Sequence, residues 1–148
     1  MTTATVPAST ALTGARAKAL IAYIGLSGLL ILGIWIAFIL AGSGVFGLAH
    51  HNVKDLDKQT VLDAHRAIGN ILGIVALLQL IAVLIARPGK KLVYLTALLL
   101  ILAGIGQPLF AGIGNDHRWG GSLHVLNAGV ILVLAFWCHL ASRKVPRA

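Results

Sequence analysis

The run AIGNILGIVALLQLIAVLIA, residues 67–86, holds no charged residue in twenty positions and stops at Arg87-Pro88-Gly89-Lys90. About twenty apolar residues are what an α-helix needs to cross a hydrocarbon core of ~30 Å. A soluble helix of this length would show a polar face, and this one has only Asn70 and Gln79. Backbone amides have no water to bond inside lipid, so the run has to be a transmembrane helix.

Reading outward, the same span extends back to about Val61 through His65 and Arg66. Three more runs resemble it: Ala19–Ala41, Leu92–Ile113 and about Trp119–Ala141. Pro108 falls near the end of the third, where a kink costs least. The 148 residues are 58% hydrophobic and 11% charged, against about a quarter charged in soluble domains. The 17 glycines suit packed membrane helices. The first run exceeds the ~7–15 apolar residues of a signal peptide and lacks a clear cleavage site, so it reads as a retained span.

The fold expected is all-α: an integral membrane, up-down four-helix bundle over residues 16–148. A mobile cytoplasmic tail is expected over residues 1–15, which are rich in Thr and Ala without an apolar period. The short Arg87-Pro88-Gly89-Lys90 turn makes its helices antiparallel neighbours.

Charge sets the orientation. Arg16, Lys18, Arg87, Lys90, Lys91, Arg143, Lys144 and Arg147 fall on one side with no acid among them. Lys54, Lys58, Arg66 and Arg118 share the other side with all four acids, Asp55, Asp57, Asp63 and Asp116. The net charge of +8 is therefore a topology signal and not a nucleic-acid surface. The positive-inside rule puts both termini in the cytoplasm of a multi-pass cell-membrane protein, with outer loops at about 42–60 and 114–118. Cys138, the single cysteine, can form no internal disulfide, and no Cys-x-x-Cys-His haem-attachment motif is present.

The spans pair into two hairpins that look like a weak repeat. The second helix of each begins with a histidine, His65 in Asp63-Ala64-His65-Arg66 and His124 in Ser122-Leu123-His124-Val125. Ionisable groups inside a span need a reason. Measured from the basic ends of their helices, the two histidines stand ~33 and ~28 Å up, level within about one turn. Two imidazoles at one depth suit the two axial positions of a haem iron, with the porphyrin edge-on between helices. Small residues accompany them: Gly69 and Gly73 follow His65, while Gly121 and Ala128 flank His124. Arg66 lies where a propionate would emerge, and His117 and Arg118 could serve similarly. Each feature has a plain alternative: a terminal histidine facing water or a carbonyl, a small-residue packing stripe, and a surface pair between Arg66 and Asp63. A zinc site would lack further ligands.

His50 and His51 read as solvated loop residues. His139 would need a partner on the second span at its own depth, where Gln79 stands, and an amide is no axial ligand, so one haem is the ceiling. Gln79, Gln107, Asn70 and Asn127 are expected to hydrogen-bond between helices.

The segment Asp63-Ala64-His65-Arg66-Ala67-Ile68-Gly69, taken with Leu123-His124-Val125-Leu126-Asn127-Ala128, resembles one half of the haem A synthase family. It is also similar to four-span bacterial membrane proteins related to that half. The resemblance covers roughly Ala19–Ala141. In the synthases each four-helix half offers a histidine pair on its second and fourth helices, near the outer face. The resemblance thus implies that His65 and His124 are axial ligands of a b-type haem. Three features depart from the family. Leu62 occupies the position of its catalytic acid, the outer-loop cysteine pair is missing, and only one half is present. These bear on the synthase reaction and not on haem binding.

The expectation is a membrane b-type haem protein serving electron transfer or haem binding. The iron ligands would be His65 and His124, with Arg66, Gly69 and Ala128 around the cofactor. The other readings are a cofactor-free accessory subunit of a larger membrane complex and a small transporter. The latter is disfavoured by the lack of central charges in the spans. Membrane lipid is the expected environment, and other membrane subunits or a second copy of the chain are possible partners.

Overall fold

A computed structural model describes residues 11–49 and 55–147, with side chains over 11–44 and 61–147. Five α-helices form four long rods: α1 (Gly14–Ala49), α2 (Asp55–Ala86), α3 (Lys90–Ile101), α4 (Gln107–Asp116) and α5 (Arg118–Arg143). A π-helical segment, Leu102–Gly106, joins α3 to α4 as one rod. Each rod is long and apolar enough to cross a membrane, over Gly14–Gly44, Val61–Ala86, Lys90–Asp116 and Arg118–Arg143. The protein is a multi-pass, all-α membrane bundle.

Neighbours in sequence are neighbours in space, and α1 also packs on α5. The rods therefore occupy the corners of a square, with α2 diagonal to α5 and α1 diagonal to α3. Hydrophobicity is spent on both surfaces. Leu30, Val83, Leu99 and Ala135 are completely buried, while Ile21, Leu29, Ile74, Leu126 and Val133 stand exposed around the outside. An apolar exterior of this extent is stable only against lipid.

The helices outrun the expected spans. At about 1.5 Å per residue, α1 is about 54 Å long and exceeds a hydrocarbon core of ~30 Å. Most of the expected outer loop at 42–60 is thus helical, while residues 50–54 lie outside the described residues. So do residues 1–10, the greater part of the expected tail. The described end of that tail is held: Leu12 is buried and its N–H donates to the Pro146 carbonyl at 3.1 Å. Nearby, Arg16 donates from Nε to the Ala86 carbonyl and from Nη2 to the Arg87 carbonyl, each at 3.0 Å. These are carbonyls that a helix C-terminus leaves unpaired. The eight basic residues gather at this one end.

Pro108 shapes the third rod through the turn before it. The Gln107 N–H reaches five residues back to the Leu102 carbonyl, and the Asn127 Nδ2 donates to that same oxygen at 3.0 Å. A wide turn next to a proline is a common way to absorb its missing donor. At the opposite end, α4 and α5 meet backbone to backbone. A Cβ on Gly120 would fall 2.6 Å from the Gly114 nitrogen, so only glycine fits there.

Of the four amides expected to bridge helices, Asn127 does so and Asn70 is exposed. Gln79 corrects the expectation. It is fully buried, and neither its Nε2 nor its Oε1 has a hydrogen-bond partner. A buried amide left unpaired costs about 1–3 kcal/mol. Gln79→Leu is therefore expected to raise the unfolding midpoint in detergent, by about 1–3 kcal/mol of stability. A drop in that midpoint would mean the amide is satisfied, for instance by trapped water.

Candidate functional site

His65 projects from α2 and His124 from α5, the diagonal pair, and their rings meet across the bundle interior. The ring centres are 6.0 Å apart, with planes inclined at 68°. Each ring is held by a carbonyl from the first rod of its own hairpin. His65 Nδ1 lies 3.0 Å from the Ala37 oxygen, and His124 Nδ1 lies 3.1 Å from the Gln107 oxygen. A carbonyl only accepts, so these contacts put the proton on Nδ1 and leave the Nε2 lone pair free. That is how proteins orient an imidazole that ligates through Nε2.

Both rings line one cavity of about 130 Å³. Small residues such as Gly69 and Ala128 line it together with the bulkier Phe38, Leu72 and Ile131. A Cβ built on Gly69 meets no atom within 4 Å. Of the residues singled out from sequence, His65, His124, Gly69 and Ala128 thus converge on a single space. Arg66 does not face it. That guanidinium is exposed and pairs with Asp63 at 3.1 Å, the surface pair that their spacing allows. His117 is exposed and stacked on Trp119, with ring centres 5.9 Å apart.

Gln107 contributes a second group. With its side-chain nitrogen toward α5, the amide donates to the His124 carbonyl at 3.2 Å and accepts from the Ala128 N–H at 3.0 Å. The same nitrogen then lies 2.7 Å from His124 Nδ1, for which it competes with the Gln107 carbonyl. The amide favours the tautomer with a bare Nδ1, and the carbonyl favours the one that leaves Nε2 free. His65 has no such competitor in its bonds.

His139 is settled elsewhere. Its Nδ1 lies 2.8 Å from Ser27 Oγ, which itself donates to the Ile24 carbonyl at 2.9 Å. Cys138 is buried in the core, as a packed thiol. His50 and His51 lie outside the described residues. Among the described residues, no group of three or more His, Cys, Asp or Glu side chains is arranged to hold a metal. His65 and His124 thus stand as two candidate donors without a third His, Cys, Asp or Glu beside them among the described residues. Comparison with protein-family models, with curated proteins and with solved structures gave no match.

Proposed function

We propose that the chain is a membrane protein that binds one b-type haem between His65 and His124 and serves electron transfer or haem binding. The spacing of the two rings carries this reading. With metal–nitrogen bonds of about 2.0–2.1 Å and a ring centre about 1.2 Å behind each nitrogen, two imidazoles on opposite sides of one ion stand roughly 6.4 Å apart. The observed separation is 6.0 Å. Two donors with no third among the described residues would suit an ion whose other ligands come from a macrocycle. The resemblance to one half of the haem A synthase family supports the same assignment, while Leu62 at the acidic position argues against the synthase reaction.

When bound, haem supplies a one-electron couple. His65 and His124 would hold the group from either side, which would suit electron exchange better than oxygen chemistry. The Ala37 carbonyl favours the ligating tautomer of His65, and the Gln107 carbonyl does so for His124 against the competing Gln107 amide. The apolar walls exclude water. The cavity of about 130 Å³ is smaller than the ~300–1,000 Å³ of ordinary ligand pockets, so a haem would fit only if the side chains lining it moved apart. Arg66, which does not line the cavity, would have to leave its Asp63 partner to meet a propionate. The basic end faces the cytoplasm of the cell membrane in this reading, which puts the histidine pair near the outer face.

The deciding experiment is an optical spectrum of protein purified in mild detergent from haem-replete cells. A six-coordinate Soret band is expected, and a colourless preparation would leave an accessory subunit as the better description. Gln107→Leu keeps the backbone carbonyl and removes the competing amide. Haem affinity in that variant is expected to hold or to rise severalfold, within the 10–100-fold range of outer-shell effects. A loss of binding would show that the amide supports the site.

A further inference from the structure

We infer that the groove at the Arg87–Lys90 turn binds the headgroup phosphate of an anionic phospholipid from the adjoining leaflet. The groove has a volume of about 480 Å³ and is lined by Leu84, Arg87, Gly89, Lys90, Val93 and Tyr94. Two cations stand at its rim, and apolar side chains of α2 and α3 continue from it toward the span. A phosphate above an acyl chain has the same order of parts.

Charge balance points the same way. Eight basic residues gather at this end, and among the described residues no Asp or Glu lies there, since Asp63 and Asp116 belong to the opposite end. Neighbouring cations already have partners: Arg16 bonds the Ala86 and Arg87 carbonyls, and Lys91 Nζ sits 4.8 Å from the centre of the Trp137 ring. Arg87 and Lys90 are exposed and border the groove. Basic pockets between helices at this level recruit anionic headgroups.

The backbone contributes as well. Arg87 has φ 50, a left-handed conformation that a residue other than glycine adopts at a cost. Gly89 begins α3 without any side-chain cap, so the first amides of that helix keep their partial positive charge for an anion. The apolar half of the groove, Leu84 and Val93 with Tyr94 at 69% exposure, selects a lipid over free phosphate.

Native mass spectrometry of the full chain in mild detergent tests this with three probes: phosphatidylglycerol, phosphatidylcholine of the same chain length, and inorganic phosphate. Wild type is expected to retain one phosphatidylglycerol at about tenfold or more lower concentration than phosphatidylcholine. Arg87→Asn combined with Lys90→Gln should erase that preference, asparagine being chosen because it tolerates the left-handed turn. Arg143→Gln with Lys144→Gln, at the same end but outside the groove, should leave it in place. Lys90→Gln alone does not touch the Arg87 backbone, and it should weaken retention severalfold even if the double variant misfolds. Equal retention of the two lipids by wild type, or undiminished preference in Lys90→Gln and in the double variant, would overturn the assignment. Inorganic phosphate bound as tightly as the lipid would overturn it too, making the groove a site for the free anion.

Discussion

His65→Ala and His124→Ala are each expected to remove the low-spin, six-coordinate haem spectrum, and the two together to give colourless protein. The two rings line one cavity with their centres 6.0 Å apart. Losing one would leave a haem held by a single residue. Disturbing groups that merely orient a ligating histidine costs 10–100-fold in affinity, so losing the histidine itself should cost about 100-fold or more. Folding should survive, because both residues are only partly buried and their ring bonds go to carbonyls already inside helices. His139→Ala is the matched control. That ring engages Ser27 at 2.8 Å, far down α5 toward the basic end, and its loss should leave the spectrum alone. Unchanged spectra in both single variants and in their combination would remove His65 and His124 from the site.

The four rods were legible because membrane helices announce themselves by composition, and the tight turn after Ala86 fixed their neighbours. The level of the two histidines followed from counting residues along regular helices. Other features left no mark in the sequence. The Ala37 and Gln107 oxygens that hold the rings are backbone atoms, and any residue could supply them. Helix α1 runs on through the Gly-rich stretch 42–49, and α2 begins at Asp55 because Asp, Lys and Gln continue a helix once water is available. Nothing local shows where such an extension stops. The wide turn at Leu102–Gly106 could be suspected from Pro108, but its position depends on Asn127 arriving from another rod. Gln79 misled for a related reason. An amide inside a span ordinarily finds a partner, and periodicity cannot say that its neighbours offer none. Arg66 shows the opposite case: its Asp63 partner three residues away was visible at once, and the structure takes that local pair.

Gly69→Leu is expected to yield a folded bundle that no longer binds haem. Glycine at this position follows His65 by one turn and lines the cavity between the two rings. An added Cβ meets nothing within 4 Å, so neither backbone nor side chain has to yield for it. The substitution also replaces the least helix-prone residue short of proline, a gain of roughly 0.5–1 kcal/mol. A leucine there would project its branched end into space that a macrocycle between the histidines has to occupy. The expected result is a melting temperature at or above that of wild type, with haem affinity lower by about 100-fold or more, since the cofactor would meet packed carbon. Ala128→Leu should act in the same way from the α5 side, next to His124. Gly120→Ala supplies the contrast. It too replaces a glycine by a good helix former, but its Cβ would fall 2.6 Å from the Gly114 nitrogen, so it should loosen the α4–α5 contact and lower the melting temperature. If Gly69→Leu bound haem as wild type does, the open face beside His65 would belong to lipid, and a cofactor would have to lie elsewhere.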